Sequence, residues 1–215
     1  MWKTISIISS IVMLLGPVSA FSGEVGIDWE NNQPMTYVDP PGVTNDIGDR
    51  DTFAQLLWTE DTNTYWTPGH MEFSVNDTNG TLYGTDGYTA YLLNSTIIPA
   101  ANYGSFDMGT TVYSNSNVGG NNILSGWIYS IIYSDTNLNY LTTWYFISQF
   151  VSANQQWTPP PAPPNPVTMD ITAGATPDGN GFVHMEFQLV PEPVSLSLYT
   201  LGVITLFAVS RRKRS

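Results

Sequence analysis

The chain has 215 residues with 6 Lys+Arg against 18 Asp+Glu, a formal charge of −12, and no cysteine. One or two small domains fit that length, and the missing cysteines exclude a disulfide scaffold, Cys-ligated zinc, iron–sulfur clusters and a Cys nucleophile. Residues 21–190 carry a single base, Arg50, against 17 of the acids, which excludes nucleic-acid binding because phosphates require a basic surface.

Residues 1–20 have the pattern of a secretory signal peptide. Lys3 supplies a short basic region, Ile5 to Leu15 an apolar helix, and Gly16-Pro17 its end. Val18-Ser19-Ala20 places small residues at the −3 and −1 positions of a cleavage site between Ala20 and Phe21, and the apolar run is short for an uncleaved anchor.

Residues 21–190 show no long amphipathic helical period. Short β-branched and aromatic runs alternate there with Gly, Asn, Asp, Thr and Pro clusters, as an antiparallel β domain requires. The expected strands are Val25–Trp29, Phe53–Thr59, His70–Val75, Tyr88–Leu93, Thr110–Tyr113, Leu124–Tyr133, Leu141–Ser148, Val167–Thr172 and Phe182–Leu189. Turn chemistry separates them at Asn79-Gly80, Asp86-Gly87, Gly119 to Asn122, Ser134 to Asn137 and Asp178 to Gly181. Leu124–Tyr133 is apolar on both parities, as a central strand covered on both faces would be. The expected fold is therefore all-β, an antiparallel β-sandwich or jelly roll, with an open barrel as the alternative. Within it the Pro-rich segment 158–166 should be polyproline II. The last two expected strands, around Asp178-Gly179-Asn180-Gly181, read as a hairpin that returns to the sheet.

The chain then changes character. Val190-Pro191-Glu192-Pro193 precedes an uncharged stretch, Val194 to Val209, and Arg211-Arg212-Lys213-Arg214 follows before Ser215. Pro191 and Pro193 block any helix upstream. A helix over 194–210 covers roughly 25 Å, the short edge of a bilayer span, and the basic stop stays cytoplasmic by the positive-inside rule. Taken with the N-terminal signal, this three-part tail resembles the PEP-CTERM sorting signal, over residues 190–215 only. The resemblance implies recognition of Pro191, Glu192 and Pro193 by an exosortase-type membrane protease. It further implies membrane anchoring before processing, then delivery to the cell surface or extracellular matrix, often beside exopolysaccharide.

The body offers few chemical motifs. His70 and His184 are its two histidines, and no Gly-x-Ser-x-Gly elbow, Ser-x-x-Lys, Walker loop or dinucleotide fingerprint occurs. His70-Met71-Glu72-Phe73 recurs as His184-Met185-Glu186-Phe187. On a strand each His shares a face with its Glu, so two adjacent copies could converge on a divalent metal; the plainer reading is a polar outer face over a Met/Phe core face. Calcium is the one cation the loops suit, at Asp46, Asp49 and Asp51 or at Asp77, Asn79 and Asp86, although no EF-hand is matched and Asx turns use the same residues. Asp28/Glu30 and Glu60/Asp61 are available carboxylate pairs for glycoside hydrolysis, and Trp58, Tyr65, Trp66, Trp127, Trp144 and Tyr145 could stack on sugars or fill the core. Sequons at Asn76, Asn79 and Asn94 read as polar loops. The resulting expectation is an exported structural, adhesive or exopolysaccharide-associated protein without catalysis and without a cofactor. A polysaccharide-active hydrolase using paired carboxylates is the alternative.

Overall fold

The computed structural model describes residues 23–38, 44–47, 50–68, 74–84, 87–138, 143–153 and 166–189. The signal segment, the sorting tail, His70, Glu72, Asp49, Asp86 and most of the Pro-rich segment lie outside the described residues. The described residues form thirteen strands, in chain order β1 (Glu24–Asn31), β2 (Met35–Val38), β3 (Thr44–Asp46), β4 (Thr52–Thr59), β5 (Leu82–Tyr83), β6 (Ala90–Ile98), β7 (Phe106–Ser114), β8 (Trp127–Tyr133), β9 (Trp144–Ile147), β10 (Val151–Ser152), β11 (Val167–Asp170), β12 (Val183–Glu186) and β13 (Gln188–Leu189). Among the described residues the fold is all-β, with short 3₁₀ turns as the only helix, and no helix there is long and apolar enough to cross a membrane.

The strands form three sheets. The largest runs β13-β9-β8-β4-β6-β5, with β10 continuing along β8 beyond β9; the two smaller sheets are β11-β1-β7 and β12-β2-β3. Alternation explains the packing. Val25, Ile27 and Trp29 of β1 point inward with Tyr113 of β7 and with Val167 and Met169 of β11, against Ala54, Leu56, Trp58, Ile128 and Ile132 of the large sheet. Met35, Val183 and Met185 bring the third sheet into the same core.

The other parity of the large sheet is buried as well. Phe53, Leu57, Tyr129, Ile131 and Tyr133 sit under Trp66, Tyr83 and the half-buried Tyr65 and Phe150. Every residue of β4 is buried, and β8 is buried from Ile128 onward, as expected for a strand with apolar residues on both parities. A chain of hydrogen bonds runs through this layer: the Tyr133 hydroxyl donates to Gln55 Oε1 at 2.7 Å, Gln55 Nε2 to the Tyr83 hydroxyl at 3.0 Å, and that hydroxyl to Asp77 Oδ2 at 2.8 Å. Unpaired, each would carry a desolvation penalty of about 1–3 kcal/mol.

Several expected strands shift. Leu124 and Ser125 belong to a 3₁₀ turn, Ile123–Ser125, in which the Asn122 side chain accepts from the Leu124 N–H. The strands β6 and β7 are longer than their apolar cores, and β2, β3 and β5 are short elements without a clear period of their own.

The expected hairpin does not form. β11 runs parallel to β1 and β12 parallel to β2, so the pairing is not purely antiparallel. The Asp178 turn is real but local: the Asp178 N–H bonds to the Phe182 carbonyl at 2.8 Å, and the chain then enters β12 in a different sheet from β11. The break matches one in the partner. β1 and β2 part at residues 32–34, where Pro34 has no N–H for a ladder, and its carbonyl accepts from the Val183 N–H at 2.9 Å. The expected last strand also divides at Phe187. β12 stays with β2, whereas β13 crosses to pair with β9.

Candidate functional site

Two surface features collect side chains with chemistry. The first is a cavity of about 420 Å³ at the edge of the large sheet, lined by Tyr65, Thr67, Tyr145, Phe146, Ile147, Ser148, Phe150, Glu186 and Gln188. Its origin is topological. β13 is two residues long and pairs only with Trp144 and Tyr145, so the edge of β9 beyond them is left for side chains to flank. The aromatic wall is held by ring packing: Tyr65 lies edge-on to Phe150 at 4.8 Å and to Tyr129 at 5.5 Å, and Phe150 is 5.0 Å from Tyr129. On the opposite rim Glu186 and Gln188 are both exposed, while Met185 and Phe187 between and beside them enter the core. The Tyr145 hydroxyl donates to Gln188 Oε1 at 3.2 Å, which turns the Gln188 amide nitrogen away from Tyr145. The cavity thus sets the rings of Tyr65 and Phe150 and the Ile147 side chain within a surface that is more polar than apolar, and Glu186 and Gln188 offer a carboxylate acceptor and an amide donor.

The second feature is a row of carboxylates on the solvent face of the sheet β11-β1-β7. Asp28 and Glu30 alternate with the buried Ile27 and Trp29, antiparallel pairing sets Asp107 opposite Glu30, and parallel pairing sets Asp170 on its other side. A bulge between Asp28 and Glu30 tightens the row. Gly109 takes φ +61°, which suits glycine, and its N–H bonds to Asp107 Oδ1 at 2.7 Å. Carboxylate oxygens of Asp28, Glu30 and Asp107 lie within 4.8 Å of one another. Burial raises the Glu30 carboxyl above its ordinary range; the Asn32 side chain opposes this, and the neighbouring Asp28, Asp170 and Asp107 charges add to it. Oxygen donors of this kind would suit a hard cation such as calcium. Asp170 itself is committed, accepting from the Thr172 N–H and hydroxyl at 2.9 Å each.

The structure disperses most of the residues singled out by sequence. The His184 face assignment holds: His184 and Glu186 point outward, and Met185 and Phe187 inward. With His70 and Glu72 outside the described residues, the pairing of the two motifs is outside them too. His184 is engaged locally, its Nε2 lying 3.2 Å from Asp178 and its Nδ1 2.6 Å from the Thr36 hydroxyl. Of the two calcium loops, Asp51 accepts from the Ala100 N–H and Asp77 from the Ser74 N–H and the Tyr83 hydroxyl. Asp61 closes an Asx turn onto Asn63. Trp58 and Trp66 are core, Trp127 and Trp144 are part-exposed, and Tyr65 and Tyr145 reach the cavity. Phe150, Thr67 and Gln188 were not singled out, and their spacing carries no signal, since three separate segments meet there. Asp107 could have been paired with Glu30 only by knowing the register of β7. The sorting residues Pro191, Glu192 and Pro193, the basic stop Arg211, Arg212, Lys213 and Arg214, and the Ala20/Phe21 junction lie outside the described residues.

No family model, no curated protein and no solved structure matches the chain.

Proposed function

We propose that the chain is an exported, exosortase-sorted protein of the cell surface or extracellular matrix, with a structural, adhesive or exopolysaccharide-associated role and no catalysis. Its ectodomain is a β-sandwich set between an N-terminal signal helix and a C-terminal transmembrane helix over 194–210. The single observation that carries this reading is the ordered tail, Pro191-Glu192-Pro193, an uncharged stretch to Val209 and Arg211-Arg212-Lys213-Arg214. It is supported by the position of β13, which ends at Leu189, two residues before Pro191, so the protease would meet its motif directly after a strand tied into the large sheet. The closely packed layers on both faces of that sheet also suit a passive, durable body.

Replacement of Glu192 by Ala in the producing host tests the reading, with epitopes placed in the ectodomain and after Ser215. The wild type should lose the C-terminal epitope and leave the membrane, and the variant should keep both in the membrane fraction. Identical processing of the two proteins would refute it.

A second reading, glycoside hydrolysis, is favoured by Asp28, Glu30 and Asp107, because a carboxyl raised by burial stands beside two further carboxyl groups, the residue types an acid–base pair needs. Two features weigh against it. Oxygens within 4.8 Å are closer than the roughly 5–9.5 Å separations of glycosidase carboxyl pairs, and the cavity lies elsewhere with one carboxylate, Glu186. Release of reducing ends from neutral polysaccharide that disappears in Glu30→Gln would establish this reading instead.

A further inference from the structure

We infer that the cavity between Tyr65, Phe150, Glu186 and Gln188 is a binding site for a short stretch of neutral glycan. The inference rests on the surface role proposed above only for placing the protein among extracellular glycans; the ligand class is argued from the cavity itself. Three properties select it.

The first is shape and surface. A cavity of about 420 Å³ falls within the roughly 300–1,000 Å³ of small-ligand sites and accommodates one or two sugar rings. Tyr65, Phe150 and Ile147 are half-buried, so ring and aliphatic surface is presented to solvent at a place where the rings are braced from behind by Tyr129. An apolar sugar face can stack on such a surface without reordering it, which keeps the entropic cost of binding low.

The second is the polar rim. A pyranose edge carries hydroxyls that both donate and accept. Glu186 offers only acceptors, and the Gln188 amide nitrogen is a donor because the Tyr145 hydroxyl occupies Gln188 Oε1. Ser148 is already committed, its hydroxyl donating to the Gln149 carbonyl and accepting from the Ser130 N–H, so it shapes the floor rather than reading the ligand.

The third is charge. The lining holds one carboxylate and no cation, and Arg50, the one base between residues 21 and 190, is bonded to Asp135 at 2.9 Å. Anionic sugars would therefore meet repulsion without a counter-charge, and a neutral glycan would not.

The test uses the full chain purified in detergent and neutral β-linked gluco- and manno-oligosaccharides of two to six units, with binding read by calorimetry. Wild type should bind at least one of them, and Tyr65→Ala and Glu186→Ala should each weaken that binding about tenfold or more. Because Tyr65 also packs on Tyr129, Glu186→Ala is the decisive variant: its side chain is exposed and its loss leaves the core intact. Asp107→Asn, on the carboxylate row of the other sheet, should bind as wild type does. Absence of binding to every oligosaccharide, equal affinity in Glu186→Ala, or preferential binding of tetramethylammonium would each overturn the inference. These outcomes leave the Glu192→Ala processing test untouched, so the two readings fail separately.

Discussion

Gly126 offers a sharp test of how the shared core is built. It follows the 3₁₀ turn Ile123–Ser125 and leads into β8, with φ −108°, a value any residue adopts. What requires glycine there is the indole of Trp58. A Cβ on residue 126 would stand 2.2 Å from Trp58 Cε2 and Nε1 and 2.5 Å from Cζ2, well inside any tolerable contact. Trp58 has little room to retreat, being 2 % exposed, with Nε1 donating to the Ile123 carbonyl at 3.0 Å and its ring 5.9 Å from Tyr91. In Gly126→Ala the indole must move. Overpacking then costs about 1–3 kcal/mol, and breaking the indole hydrogen bond adds about 1 kcal/mol. At about 2–4 kcal/mol in all, a domain of this size should lose roughly 4–16 °C in melting temperature. The assay is thermal unfolding of the purified protein followed by near-ultraviolet circular dichroism, in Gly126→Ala, Trp58→Phe and the double variant. Trp58→Phe removes the atoms that clash, so the two substitutions should cost less together than their sum, by at least about 1 kcal/mol. A melting temperature within a degree of wild type in Gly126→Ala, or strict additivity, would refute the reasoning.

Three further outcomes concern titration. Burial raises Tyr83 and Tyr129 above the ordinary tyrosine range, Tyr83 further through its bond to Asp77, so the stability they contribute is complete below the ordinary value near 10 and falls as pH rises past it. Alkaline titration at 295 nm should show their ionisation arriving together with unfolding; ionisation in the intact fold would contradict the buried layer. Glu30 is raised too, so its charged form opposes folding, and Glu30→Gln should melt higher than wild type at pH 7, the gap closing in acid as wild-type Glu30 takes up its proton and shrinking in salt. Equal melting temperatures at pH 7 would show that the carboxylate row carries no repulsion. Asp178 is lowered, first by the Phe182 and Asn180 N–H groups it accepts from and then by His184, so its contribution is present above the ordinary aspartate range and lost as pH falls through its depressed value. Wild type should therefore exceed Asp178→Asn in stability at neutral pH and converge with it in strong acid, as urea midpoints across the pH range would reveal.

Parity and turn chemistry carried the all-β class and the central elements. β1 and β4 lie where the expected strands Val25–Trp29 and Phe53–Thr59 placed them, and β8 takes up the expected two-sided run Leu124–Tyr133 from Trp127 onward, its first residues forming a 3₁₀ turn instead. The inward Met185 and Phe187 and the outward His184 and Glu186 followed from period two alone. Sequence composition likewise set the charge map, with Arg50 the one base among 17 acids between residues 21 and 190. Partnership between strands was not legible. Val167–Asp170 and Val183–Glu186 flank a sound turn, yet each pairs in parallel with a strand more than a hundred residues earlier, because β1 and β2 leave edges whose backbone groups a local hairpin would not satisfy. The two surface features have the same origin. Asp107 joins Asp28 and Glu30 through the register of β7 and the Gly109 bulge, and Tyr65, Phe150 and Gln188 meet because β13 stops after two residues. Local periodicity is written in neighbouring residues and can be read from them. A site assembled from the register of distant strands depends on backbone hydrogen bonds common to every residue, and only the tertiary structure selects among them.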